Sequence, residues 1–535
     1  MLSPNDVFVS DVTVAELEDG YRLGYETWAN LIVYKFVCTM LDQNFSFKNF
    51  MAIYAIENRK GRIPKETMSK DFQEVVEGIQ GINKKLQVLR NKKKDERTED
   101  DNAEIAKLKK ELKDLRKKKL ESLQLYTEEL SNKVNHSDFR FQLEIVTLGK
   151  KIGFKINSEE HPQLFAMKQL QYNLQKTFKV KQANRHSIMA NIKLLLKTQR
   201  PYCIIRTDVS SFFESIPQDC LLRQIMGNTI LSYKSKTFIK AILTQYEGKK
   251  QELISVEQTN IKKGLGVPRG IGISSLLSEI YMRDLDDCIK KRPEVIFYAR
   301  YVDDIFILLS QLPQGKNIST IEDYYQNLEN EFQKYGLTLN KLGGEKGFAV
   351  DYSKLKLNQP KEFTYLGYKI IITKTKENTK ENGTYVASYR LSDAKKERIK
   401  RRIDNAFNHF NSLNKYNLHQ ARKDLVDSLK LITGNVKLHK SKSGIKTGLY
   451  FNGDLLEEDL KDLHELNDYL YEKKVILYAN LFKTNDEQSA YEAALKNRIR
   501  KFDFVKFWEE KKMYSLSGKR LQEIMKWLNY ETKEN

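Results

Sequence analysis

Only four cysteines occur in 535 residues, Cys38, Cys203, Cys220 and Cys288, and no two make a CxxC pair. Neither a zinc-ligand spacing nor a disulfide framework is on offer, which suits a reducing compartment. Nine prolines exclude long proline-rich linkers. No uninterrupted apolar run approaches the roughly 18 residues of a membrane span, and the opening MLSPNDVFVSDVTVAELEDG has acids where a signal would have a cationic start and an apolar block. A cytoplasmic location without a membrane partner is expected. Histidine is sparse, and His409, His419, His439 and His464 are scattered, so ordinary packing explains them better than metal binding. Acid is also short: 71 Asp and Glu against 92 Lys and Arg leave a net charge of +21, which suits a polyanionic partner through attraction and counterion release. Soluble Lys-rich helices explain that charge equally well, so motifs must decide.

What is present is a large ordered chain. Hydrophobic residues make up 40%, with 28 Tyr and 26 Phe, enough for two to four packed units at this length. YETWANLIVYKFVCTML, within an N-terminal helical region 1–80, reads as a buried helix. From Ile82 to Leu130 charged helix formers take over; Ile82, Leu86 and Leu89 make one apolar seam, and Ile105, Leu108, Leu112 and Leu115 make another. These predict an antiparallel helical hairpin over 81–135, whose mixed charges favour a solvated insertion over RNA contact or oligomerisation. Strand-like and helical segments follow over 136–390. From LSDAKKERIKRRI, where Ser392 can cap a helix, residues 391–535 read as a Lys-rich helical region.

Chemistry concentrates in the third region. YCIIRTDVSSFFESI reads as a buried strand that ends in Asp208 and turns into a helix. FYARYVDDIFILLS reads as a β-hairpin with Asp303 and Asp304 at its tip. Adjacent carboxylates between apolar strands repel one another and lose hydration, a cost that divalent cations would remove. Two Mg²⁺ ions, with Mn²⁺ as a substitute, would lower the pKa of a 3′-hydroxyl and stabilise charge on departing pyrophosphate, which is nucleotidyl transfer. A lone DD is weak evidence, since Asp is a common turn residue. It gains partners in Phe213, five residues after Asp208, and in GLGVPRGIGISSLLSEIYM, a glycine-rich turn before a helix.

Asp-x4-Phe, then G-x-P-x-G before a helix, then YVDD, is an order that resembles the palm of reverse transcriptases. YGLTLNKLGGEKG and FTYLGYKI extend the resemblance, which runs from about Arg185 to Ile371. It implies an α+β right-hand polymerase of fingers, palm and thumb, here with a helical N-terminal insertion and an all-α C-terminal domain. It implies that Asp208, Asp303 and Asp304 are catalytic and, with Val209, hold metal. Phe213, with Phe212 beside it, Arg269, Gly270 and either Lys346 or Lys341 would meet the nucleotide. Arg185, Pro268, Tyr301, Tyr365, Leu366 and Gly367 would meet template or primer. An aromatic wall at Phe213 would exclude a ribose 2′-hydroxyl and select dNTPs. Core packing for Phe213 and a surface cation for Arg185 are the plainer readings.

Arg269 stands where the family usually has Gln, and IGISS replaces a Ser-Pro pair, so templates or nucleotides would be held differently. No second acidic constellation, zinc spacing or endonuclease pattern follows the palm. The remaining layout, and LITGNVKLHKSKSGIKTGLYFNGDLL, resemble bacterial defence-associated and abortive-infection reverse transcriptases, particularly the second subunit of two-enzyme systems. That resemblance implies antiphage defence, a small non-coding RNA partner, a DNA product, a second reverse transcriptase subunit, higher-order assembly, and in some cases a protein hydroxyl primer, for which Tyr514 and Tyr530 are guesses among many tyrosines. A retron- or intron-like polymerase and a catalytically silent nucleic-acid scaffold are the alternatives.

Overall fold

A computed structural model describes residues 42–529 apart from 60–62, 64–67, 92–96, 149–150, 158–159, 182, 258–262, 314–317, 345, 378–379, 439–445, 449–454, 457–458 and 482–485. The helix expected over 25–41, His439 and Tyr530 lie outside the described residues. Helices and strands are mixed, and the chain divides into two compact units, Met1–Lys181 with Ile216–Tyr281, and Gln182–Ser215 with Met282–Asn535.

In chain order, the first unit opens with α1 (Phe47–Arg59), α2 (Lys70–Asn91), α3 (Glu99–Asn135), the antiparallel pair β1 (Leu143–Leu148) and β2 (Lys151–Ile156), and α4 (His161–Phe178). The second unit takes α5 (Arg185–Leu196), β3 (Cys203–Asp208) and the short α6 (Phe212–Ser215). The chain returns to the first for α7 (Gln218–Gly227) and α8 (Tyr233–Glu257), and α9 (Ser274–Lys290) starts in the first and ends in the second. The second unit continues with β4 (Val295–Tyr301), β5 (Asp304–Leu309), α10 (Ile321–Lys334), β6 (Phe348–Asp351), β7 (Lys361–Tyr365), β8 (Tyr368–Glu377) and β9 (Lys380–Leu391). It ends with α11 (Asp393–Asn414), α12 (Leu418–Thr433), β10 (Asn435–Leu438), β11 (Lys446–Gly448), α13 (Lys461–Leu481), α14 (Asp486–Ile499), α15 (Phe504–Glu509), β12 (Met513–Leu516) and α16 (Gly518–Leu528).

The helical hairpin expected over 81–135 falls in α2 and α3, and α2 begins before that range, at Lys70. Thr98 and Asp101 close a reciprocal capping box at the start of α3, and three acids fill its first turn, an arrangement that satisfies free N–H groups and suits the helix dipole. Ile82 and Leu86 then pack against Ile105, Leu108 and Leu112. Elsewhere in this unit Gly266 and Gly270 take φ of 90° and 102°, a backbone only glycine adopts freely, and Gly266 N donates to Ile216 O at 2.7 Å.

In the second unit four strands form an antiparallel sheet in the order β4-β5-β3-β6, with every residue of β3 buried. A second sheet runs β7-β8-β9. Ser392 caps α11 through its side chain, as its sequence position implies. One apolar core runs from Ile188 on α5 through Phe306, Tyr365 and Leu391 to Leu528 on α16, so packing continues without a break across Leu391.

The C-terminal region is not all-α. β10 pairs antiparallel with β11 and parallel with β12. The sheet depends on close backbone approach: a Cβ on Gly448, whose φ is 114°, would meet Gly434 O at 2.2 Å, and one on Gly434 would meet the Tyr514 ring at 2.9 Å. These strands are three or four residues long, too short for an alternating pattern to declare itself.

Candidate active site

Strand register brings the acids together. β3 and β5 are antiparallel neighbours with Asp208 directly opposite Asp304, and β4 and β5 form the expected hairpin with Tyr301 opposite Asp304. The two-residue tip is Val302 and Asp303. Val302 has a φ of 62°, a strained backbone for a β-branched residue. Asp303 O accepts from Val209 N at 3.1 Å, which ties the tip to the end of β3. Two further non-glycine residues with positive φ flank the site, Ser211 at 47° and Leu366 at 47°.

The acids are heavily partnered. Asp208 is buried, and its two carboxylate oxygens accept from the Asn340 amide and the Lys346 ammonium. Arg206 reaches Asp304 at 3.4 Å. Burial pushes the Asp304 carboxyl above its ordinary value; Arg206 opposes this, the Asp303 and Asp208 charges add to it, and Lys346 opposes. The hydrogen bond to Asp208 raises the Lys346 ammonium. Of the two candidate lysines the fold therefore brings Lys346 to the acids, while Lys341 is exposed.

The three acids line an open cleft of about 640 Å³ with Arg185, Arg206, Lys346, Leu366 and Gly367, and α11 supplies Lys395, Arg398 and Arg401 to the same cleft. Arg185 stacks on Tyr301 with its guanidinium carbon 4.3 Å from the ring centre. Leu366 and Gly367 form the β7–β8 tip, both with positive φ, the backbone that two-residue hairpin turns favour. Tyr365 is buried beneath them, its hydroxyl 3.4 Å from Asp304 O. Phe212 is 1% exposed and offers no face to a ligand, whereas Phe213 is half-buried. The two rings differ because the stretch after Ser211 is a helical turn. Val209 is buried. Pro268, Arg269 and Gly270 belong to the first unit; Pro268 is buried, and Arg269 O accepts from Phe154 N at 2.7 Å.

Arg206, Asn340 and Arg300 carried no role in the sequence reading. Arg300 makes a buried ion pair with Asp286 at 2.8 Å and donates to Val302 O at 2.8 Å, holding the strained tip from behind. The available signal was a cation inside an otherwise apolar strand, in CIIRTD and again in VIFYARY, since charged residues are rarely buried unless paired.

Three carboxylates at neighbouring strand ends are hard oxygen donors of the kind that holds divalent cations, so the donor chemistry fits a metal. In the arrangement seen, no group of three His, Cys, Asp or Glu among the described residues is gathered closely enough to hold a cation. Among the described residues no helix is long and apolar enough to cross a membrane.

Comparison with known proteins covers this region. Residues 132–370 match the family model described as reverse transcriptase (RNA-dependent DNA polymerase). Solved structures similar to the chain include apo telomerase from Candida tropicalis truncated from the C-terminal domain, at 16% identity over 43% of this chain and 53% of that one, with a TM-score of 0.28. Telomerase from Candida albicans in complex with the TWJ fragment of telomeric RNA is 13% identical over 69% of this chain and 67% of that one, with a TM-score of 0.30. The chain thus spans about half of the Candida tropicalis protein, and at such scores neither likeness bears on fold or activity. A search of curated proteins finds no match. Asp208, Asp303, Asp304, Lys346 and the Leu366–Gly367 tip all fall inside the stretch that matches the reverse transcriptase (RNA-dependent DNA polymerase) model.

Proposed function

We propose that the chain is a right-hand reverse transcriptase that adds dNTPs to a 3′-hydroxyl by two-metal catalysis. The observation that carries this reading is the Asp208–Asp304 register pair, with Asp303 in the adjoining turn, in an open cleft that Arg185, Lys395, Arg398 and Arg401 also line. Acids for metal and cations for a polyanion therefore share one space. Asp208, Asp303 and Asp304 would hold the ions, which when bound activate the hydroxyl and neutralise charge on the leaving pyrophosphate. Mg²⁺ is the expected ion and Mn²⁺ its substitute. Lys346, once off Asp208, has the reach and charge to meet a triphosphate. Arg185 on Tyr301, and the Leu366–Gly367 tip, would seat the strand end, and Phe213 would stand against a 2′-hydroxyl.

A finer reading places this activity in bacterial antiphage defence, with a small non-coding RNA and a second reverse transcriptase subunit. It is supported by the resemblance of the overall layout and of the segment after the thumb. Both readings are tested by supplying purified protein, with its co-purifying RNA, with Mg²⁺ and dNTPs or rNTPs. Incorporation should be confined to dNTPs and fall at least about a thousandfold in the Asp303→Asn, Asp304→Asn variant. Incorporation that survives in the variant would refute the assignment of the acids. For the defence reading, cells carrying the wild type should resist phage and cells carrying the variant should not.

A further inference from the structure

We propose that Asn340 is a positioning residue that fixes which oxygen of Asp208 faces a divalent cation, an inference that rests on the polymerase reading above. Asn340 is stitched to the end of β3 on both sides of that acid. Its backbone N donates to Asp208 O at 3.1 Å, and its side-chain Nδ2 donates to Asp208 Oδ1. Its Oδ1 accepts from Ser210 Oγ at 2.8 Å, and its backbone O accepts from the Tyr325 hydroxyl, which also lies 2.7 Å from Thr207 Oγ1. Just before it, Thr338 O accepts from Ser210 N at 2.8 Å and Leu339 bridges to Val209.

The amide orientation follows from this wiring. A hydroxyl that donates to Asn340 Oδ1 leaves Nδ2 to face the carboxylate, because an amide has one acceptor end and one donor end. Asp208 Oδ1 is thereby spent inside the protein. Oδ2 is the oxygen turned toward charge, and it is the one that accepts from Lys346. With Asp208 only 2% exposed, water has little access to replace a missing amide donor, and a carboxylate without it would lose a fixed orientation. Partners that orient a ligand from behind typically change metal affinity or activity by about 10- to 100-fold when removed.

The full chain is tested as Asn340→Leu, which keeps side-chain bulk without the amide, and as Ser210→Ala, which keeps Asn340 and removes only the bond that orients it. Three quantities are read: Mn²⁺ binding by electron paramagnetic resonance without nucleic acid, steady-state dNTP incorporation, and melting temperature. N340L should weaken Mn²⁺ binding about tenfold and lower kcat by a similar factor, with KM for dNTP within about twofold and little change in melting temperature. S210A should shift Mn²⁺ binding and kcat in the same direction by a smaller factor. Folded variants that bind Mn²⁺ like wild type, or that change KM alone, overturn the proposal; if N340L does not fold, S210A with unchanged Mn²⁺ binding overturns it. Wild-type protein that binds Mn²⁺ yet incorporates nothing refutes the polymerase reading instead, and weakened Mn²⁺ binding in N340L would still support the positioning role.

Discussion

Two Arg–Asp pairs flank the same hairpin and are built in opposite ways. Arg300 meets Asp286 through Nε and Nη2 at 2.8–3.1 Å, with both side chains almost wholly buried, and Tyr298 adds a bond to Asp286 at 2.7 Å. Arg206 meets Asp304 through one nitrogen at 3.4 Å, and Asp304 keeps 27% of its side-chain exposure. The first pair has the forked geometry that makes a charge pair rigid. The second is loose and opens onto a cleft. The same chemical pairing thus serves as a lock where the backbone is strained at Val302, and as a loose counter-charge where a carboxylate faces a cleft.

The contrast breaks most visibly at the lock. Arg300→Met should destabilise the protein by about 3–5 kcal/mol in urea unfolding, since it leaves Asp286 charged and buried without its partner. Replacing both members by apolar side chains should recover much of that loss. A loss under about 1 kcal/mol for the single variant would mean that the pair is not the lock described. Arg206→Met should cost much less stability and act on the site instead. With its competitor gone, Asp304 is freer to bind a cation, so the Mn²⁺ titration midpoint should fall about two- to fivefold, equivalent to up to about 1 kcal/mol. If the two arginine variants were equally destabilised, the distinction between lock and counter-charge would disappear.

This difference also marks the limit of what the sequence discloses. Asp208, Asp303 and Asp304 were legible because each acid interrupts an apolar run, and an apolar run that stops at an acid defines a strand end. The α2–α3 hairpin was legible from its two apolar seams. The arginines were not, because their roles are set by partners: Asp286 lies on a helix, and Asp304 reaches Arg206 only once β5 pairs with β3. Asn340 was inside a quoted motif, yet nothing local distinguishes an amide that orients a carboxylate from one that ends a turn. The β10–β11–β12 sheet was missed for a similar reason, since β12 comes some 75 residues after β10 and only tertiary packing joins them.

Another cation in the cleft, besides Arg206, has an aromatic face against its charge. The Lys395 ammonium lies 4.2 Å from the centre of the Tyr368 ring, and burial, with Arg398 and Arg185 adding to it, lowers its pKa from 10.5 to about 8. The folded pKa is below the unfolded one, so between those two values the folded chain holds fewer protons, and the contribution of Lys395 to stability rises with pH across that window. Binding of a polyanion should move the other way, because the cleft loses a positive charge as pH rises through about 8. Anisotropy of a labelled RNA–DNA duplex, read at constant ionic strength at about pH 7 and about pH 9, should show weaker binding at the higher pH, with a salt slope smaller by up to about one unit. Lys395→Met should bind at both pH values as wild type does at the higher one. A variant that retains the full pH response would show that another group titrates in the cleft and that the charge of Lys395 does not meet the duplex.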